Sequence, residues 1–168
     1  MDSHEGGAVP PRTKAELARA LGDEFRISQN LNEMFDEAAA AHLEVNRTDL
    51  RCMDIIQRRG GASAGELARE AGLTTGAVTS VIDRLERAGY AARDADPQDR
   101  RRVLVRLTPK AMEAIGAIWG PETVEHMERM TSLSRAELEG LLAFMRSSNE
   151  TQRRHLDRIR RETSSSSG

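Results

Sequence analysis

Aromatic residues are scarce in this chain of 168 residues: three Phe, one Tyr and one Trp, at Phe25, Phe35, Phe144, Tyr90 and Trp119. So few large side chains make for a thin core. That suits amphipathic helices, each burying one stripe and covering part of it with another chain. Cysteine is scarcer still. A single Cys52 excludes an intrachain disulfide framework and a cysteine-rich metal site. No apolar run approaches the ~20 residues of a membrane span. The opening "MDSHEGGAVPPRTK" lacks the basic and apolar regions of a secretory leader. A cytoplasmic protein with no membrane partner is expected. An excess of one charge is missing too. The net charge of −2 argues against a generally polycationic surface but leaves room for a local basic patch.

Catalytic constellations are equally absent. There is no phosphate-cradling glycine loop, no nucleophile elbow, no convincing Ser/His/Asp set and no paired carboxylates, so neither enzyme activity nor a cofactor is expected. Glu122 and His126 stand at i, i+4 without a dense cluster of further ligands, and no metal is expected.

What is present is helical periodicity. Gly6, Gly7, Pro10 and Pro11 mark residues 1–12 as a flexible arm, and 163–168 read as a frayed tail. From Thr13 to Leu43 the apolar positions Leu17, Leu21, Phe25, Leu31, Phe35 and Ala38 recur at helical spacing. Thr48 is the expected N-cap of a second helix, stopped by Gly60 and Gly61. "SAGE" opens a third with a capping box between Ser63 and Glu66, and Gly72 ends it. Thr74 caps a fourth, closed by Gly89 at C′. Thr108-Pro109 starts a fifth, which Gly120-Pro121 should break or kink. "SRAE" caps the last through Ser134 and Glu137.

Between the fourth and fifth helices the period changes to two. Val103, Val105 and Leu107 alternate with Arg102, Leu104 and Arg106, the pattern of a strand with one face buried. "ADPQD" supplies turn chemistry, so Tyr90–Arg93 and Arg102–Leu107 read as the arms of a hairpin.

The stretch "GELAREAGLTTGAVTSVIDRLERAGY" joins two short helices through "AGL", a helix-turn-helix pattern. Projected at 3.6 residues per turn, Val78, Val81, Ile82 and Leu85 share one face of the second helix. Gly76, Thr79, Ser80, Asp83, Arg84 and Arg87 share the other. An exposed face chosen for solubility would more often be rich in Glu and Lys. This one is small and hydroxylated until Asp83, which suits close approach to a DNA major groove, with Arg84 and Arg87 placed for backbone contact. In the hairpin, Asp99 and Arg101 lie two apart and share a strand face, so the carboxylate can brace the guanidinium for entry into a narrow groove. Arg100 projects the other way, and Arg100 and Arg102 are read as phosphate contacts. From Asp83 to Arg106 there are seven Arg against five acidic residues, a small local excess within an acidic chain.

The segment "LTTGAVTSVIDRLERAGYAARDADPQDRRRVLVRLTPKA" resembles the winged helix-turn-helix of the MarR (multiple antibiotic resistance regulator) family of bacterial transcription factors. Its part "DPQDRRRVLVRLT" is similar to the family's D-x-R-x-x-x-V-x-L-T signature through Asp99, Arg101, Val105, Leu107 and Thr108. The resemblance covers about Arg47 to Met112; the flanking helices agree in order and length, not through a motif. It implies a recognition helix starting at Thr75, with Thr75, Gly76, Thr79, Ser80 and Arg84 facing double-stranded DNA. It also implies a wing pair, Asp99 and Arg101, and a homodimer with interlocking terminal helices. Repression relieved by a small-molecule effector is implied as well, the effector held where the dimer helices meet the winged domain.

The expected architecture is mainly α with a small β-hairpin wing. An N-terminal dimerisation helix spans 13–45, the winged helix-turn-helix domain 46–108 and the C-terminal dimerisation helices 109–162. The apolar stripes outside the winged unit support a dimer independently, because a unit so small cannot cover them. Two other readings compete. A thiol-based redox sensor through Cys52 lacks an adjacent His and a resolving cysteine. A winged helix used only for protein contacts, without DNA binding, has no need of a braced arginine or a small-residue helix face.

Overall fold

The computed structural model describes residues 13–96, 99 and 102–165, so the expected N-terminal arm and the arginines Arg100 and Arg101 lie outside the described residues. The element order is α1 (Lys14–His42), α2 (Arg47–Arg59), α3 (Ala64–Ala71), α4 (Thr75–Arg87), β1 (Ala91–Ala95), β2 (Val103–Leu107), α5 (Pro109–Thr131) and α6 (Arg135–Ser165). The fold is mainly helical with one antiparallel hairpin, as the periodicities require. The chain divides into two compact units between Gly116 and Ala117.

In the first unit the helix ends follow capping chemistry. Thr13 with Glu16 and Ser63 with Glu66 form reciprocal boxes at the starts of α1 and α3, and Thr74 accepts from the Ala77 amide at the start of α4. The start of α2 corrects the expectation: its cap is Asn46, not Thr48. The Asn46 side chain accepts from the Asp49 amide at 2.9 Å, and the Asn46 amide donates to Asp49 Oδ2 at 3.4 Å. An amide side chain followed three residues later by a carboxylate outcompetes a threonine two residues further in. Gly60 and Gly72 end α2 and α3 in the left-handed region, at φ 69° and 68°.

All nine of the largest fully buried side chains fall between Cys52 and Val105. They are Cys52, Met53 and Ile56 of α2, Leu67 of α3, Val78, Val81, Ile82 and Leu85 of α4 and Val105 of β2, on elements that pack against one another. At ~1.5–3 kcal/mol per fully buried aliphatic side chain, this helix-turn-helix body holds most of the hydrophobic stabilisation. By contrast α1 buries only Ala39 and Ala40 along its 29 residues.

The hairpin pairs Ala91 with Leu107 through Ala95 with Val103. Ala62, between α2 and α3, adds a third strand position: its amide donates to the Val105 carbonyl at 3.0 Å, and the Val105 amide returns the bond at 2.8 Å. This stitches the wing base to the α2–α3 connection. The expected buried face of β2 holds only near that base. Val105 is buried and Leu107 half-buried, but Val103 is 53 % exposed. Its pair with Ala95 lies toward the hairpin tip, beyond the helical body, so no element covers it. The first arm is likewise one residue later and longer than expected, Ala91–Ala95 in place of Tyr90–Arg93.

The second unit comprises the remainder of α5 together with α6. Contrary to expectation, α5 runs uninterrupted through Pro121. Proline removes one backbone hydrogen bond, but Ala117 and Pro121 are both exposed, so water can serve the freed carbonyl. Ser134 and Glu137 cap α6 as expected, the Ser134 amide donating to Glu137 Oε2 at 2.8 Å and the Glu137 amide to Ser134 Oγ at 3.3 Å. The helix continues to Ser165, into the segment read as a tail. None of residues 117–163 is buried.

Candidate nucleic-acid interface

The α4 helix divides as its sequence pattern requires. Val78, Val81, Ile82 and Leu85 are each no more than 1 % exposed, whereas Thr75, Gly76, Thr79, Ser80, Asp83 and Arg87 are exposed. A Cβ placed on Gly76 would meet nothing within 4 Å. Neither packing nor backbone conformation requires a glycine there, yet glycine inside a helix costs about 0.5–1 kcal/mol relative to alanine. That cost makes sense if something outside the chain must approach the first turn closely. Thr79 Oγ1 donates to the Thr75 carbonyl at 3.0 Å and Ser80 Oγ to the Gly76 carbonyl at 3.1 Å. Both hydroxyl protons are donated to their own helix, which leaves each oxygen as an acceptor.

Arg84 has a partner the sequence reading missed. Its Nε donates to Asp49 Oδ2 at 3.0 Å and its Nη2 to Asp49 Oδ1 at 2.6 Å. The Asp49 side chain is 3 % exposed and that of Arg84 38 %. Asp49 is also the N3 partner of Asn46 in the α2 capping box, so one carboxylate fixes the start of that helix and the third turn of α4 together. The signal was the N-x-x-D cap at Asn46, which places an acid at the α2 N-terminus; its distance from Arg84 in sequence concealed the pair.

Two further arginine clusters tie the wing to this body. Arg93 of β1 pairs with Glu86 and, at 2.7 Å, with Asp83, both on α4. Arg102, at the start of the returning arm, reaches Glu66 of α3 at 3.5 Å and Asp96 at 3.7 Å. Glu66 also pairs with Arg59 of α2 at 2.9 Å. The Ser63 amide and hydroxyl donate to its Oε2, and these bonds, helped by Arg59 and Arg102, pull its carboxyl down to about 2. Arg106 Nη1 donates to the Gly60 carbonyl at 2.5 Å. Asp99 is exposed, and its carbonyl accepts from the Arg102 amide at 2.8 Å, forming the described part of the hairpin turn. The brace proposed between Asp99 and Arg101 involves a residue outside the described set.

Cys52 is fully buried, and burial, reinforced by Asp49, pushes its thiol up to about 11. Glu122 and His126 stand 3.9 Å apart, and among the described residues there is no group of three or more potential metal ligands. Nor, among them, is any helix long and apolar enough to cross a membrane.

Comparison with known proteins bears on what this arrangement is. The model of the MarR family matches residues 45–103. A Bacillus subtilis (strain 168) protein described as the uncharacterized HTH-type transcriptional regulator YcgE is 34 % identical over 148 residues, 88 % of this chain and 96 % of the relative. Among solved structures, a MarR family protein from Bacillus stearothermophilus is similar with a TM-score of 0.58 at 19 % identity, covering 84 % of this chain and 99 % of that one. Wild-type apo MarR from E. coli is similar with a TM-score of 0.51 at 21 % identity, covering 76 % and 95 %.

Proposed function

The chain belongs to the MarR family of DNA-binding transcriptional regulators, and on that premise we propose that it acts as a homodimeric repressor of a pseudo-palindromic promoter site. Relief comes from a small-molecule effector. The observation that carries this reading is the outer face of α4, where an unneeded glycine and a run of short hydroxylated residues leave the backbone open to a base-pair edge. In this reading Thr75, Gly76, Thr79 and Ser80 face the major groove. Arg84 keeps one guanidinium edge on Asp49 and offers the other to the backbone. Arg101, with Asp99 beside it, enters the minor groove, and Arg100 and Arg102 lie near phosphate.

A second copy supplies what the exposed apolar faces lack. Leu17, Leu21, Ile27, Leu31 and Met34 on α1 are each more than half exposed. So are Val124 and Met127 of the second unit, which has no buried residue over 117–163. Helices this long owe their stability to tertiary burial, and a self-complementary interface provides it. Two α4 helices about one DNA turn apart (~34–36 Å) then read the two half-sites, and an effector that changes their spacing releases the DNA.

Operator binding measured against salt, with Arg101→Ala alongside, tests the reading. Binding should fall steeply with salt, and the variant should lose most of its affinity while keeping its dimer and its melting temperature. Full-strength binding by Arg101→Ala would remove the wing from the interface.

A further inference from the structure

A cavity of about 270 Å³ opens at the root of the wing, with Arg59, Arg102 and Arg106 on its walls beside Glu66 and Asp96. It lies where the end of α2, the start of α3 and the returning strand converge. Glu66 occupies a particular place in it. One carboxylate bridges two arginines from different elements, Arg59 at 2.9 Å and Arg102 at 3.5 Å, and those side chains are 37 % and 49 % exposed. We propose that Glu66 is a built-in competitor for DNA phosphate, holding Arg59 and Arg102 until a backbone phosphodiester enters the cavity and takes them over.

Three features support the exchange. Arg102's carboxylate contacts, at 3.5 and 3.7 Å, are too long for tight charge-assisted bonds and are readily replaced by a better-placed oxyanion. Glu66 has its own anchorage on Ser63, at 2.9 Å from the amide and 2.7 Å from the hydroxyl, so it stays satisfied when the arginines leave. Gly65, at the second position of α3, is exposed with nothing within 4 Å of where a Cβ would stand, so the backbone beside the cavity is open to a bulky anion. The consequence is a brake on sequence-independent affinity. A phosphate contact made by Arg59 or Arg102 must first displace the Glu66 carboxylate, so indiscriminate binding to arbitrary DNA is weakened. This inference rests on the reading that the helix-turn-helix face fronts DNA.

The test uses the full chain with Glu66→Gln, which removes the charge while glutamine still completes the capping box. Affinity for duplex DNA of arbitrary sequence should rise roughly threefold at low salt, as expected for loosening two surface ion pairs while Glu70 at 3.5 Å from Arg59 and Asp96 at 3.7 Å from Arg102 remain. The gain should shrink as salt is raised and vanish when Arg59 and Arg102 are also replaced by alanine. Glu66→Asp, too short to reach both arginines, should give an intermediate gain. Unchanged or weaker binding by Glu66→Gln, or a gain that survives loss of both arginines, overturns the proposal. Inorganic phosphate alone should leave the melting temperature of Glu66→Gln unchanged; a saturable rise would reassign the cavity to the free ion and overturn the DNA assignment. Ser80→Glu separates the two readings. If it abolishes operator binding while Glu66→Gln has no effect, only the brake fails. If it binds normally, the α4 interface itself fails.

Discussion

Arg84 and Asp49, 35 positions apart in sequence, meet through two charge-assisted hydrogen bonds of 2.6 and 3.0 Å, one partner half-buried and the other almost wholly so. The pair links the start of α2 to the outer side of α4 and sets the pose of the helix assigned to DNA. Removing Arg84 strands a buried carboxylate, which costs far more than the net worth of the pair. With Arg84 partly in solvent, Arg84→Ala should destabilise by ~2–3 kcal/mol. In urea unfolding, the Asp49→Ala, Arg84→Ala double variant should show a coupling energy above ~1 kcal/mol. Additive losses would mean that the pair holds nothing in place.

Gly76 should trade stability against affinity. The Gly76→Ala side chain enters open space on an exposed helix, so it should stabilise the fold by ~0.5–1 kcal/mol. Gly76→Leu should fold as well but lose roughly tenfold or more in operator affinity, because its side chain stands where a base edge must come. Melting curves and DNA titrations on the same preparations separate the two effects.

Acid should expose Glu66. Its carboxyl titrates at about 2 in the fold, against a normal value of 4.5. A depressed folded value means stability fully present above about 4.5 and lost as pH falls toward about 2. The stability deficit of Glu66→Gln relative to the natural protein should therefore be constant near neutrality and shrink across that acid window. A deficit that does not change with pH would show that Glu66 acts through shape alone.

Removal of the residues before Leu31 should impair dimer formation, since it discards the exposed Leu17, Leu21 and Ile27. Sedimentation at several concentrations reads the outcome, and a stable folded monomer from that truncation would count against the dimer.

Cys52 should resist thiol reagents in the native state. It is fully buried with its thiol raised to about 11, so at neutral pH the reactive thiolate is scarce. Labelling should follow global unfolding. Rapid native labelling would revive a thiol-sensing role.

How much of this was legible in the sequence divides along physical lines. Helices, caps and wing were, because capping boxes, left-handed glycines and a switch of period from 3.6 to 2 are local signals. Ser63, Thr74 and Gly72 acted as their neighbours dictated. Asn46 was also local and was overlooked in favour of Thr48. Val103 could not be placed from alternation, since which end of a hairpin is covered depends on where the helices stop. The arginine partners were hidden for the same reason. The Arg84–Asp49 and Arg102–Glu66 pairs are products of tertiary packing, so two arginines read as backbone contacts are also engaged with internal carboxylates.

The reciprocal pair of backbone hydrogen bonds between Ala62 and Val105 has a dynamic consequence. Both residues are buried in the core, no more than 2 % exposed. Their amides should exchange with solvent only when the whole domain opens. The base of the wing and the three short helices thus make one cooperative unit that yields all at once.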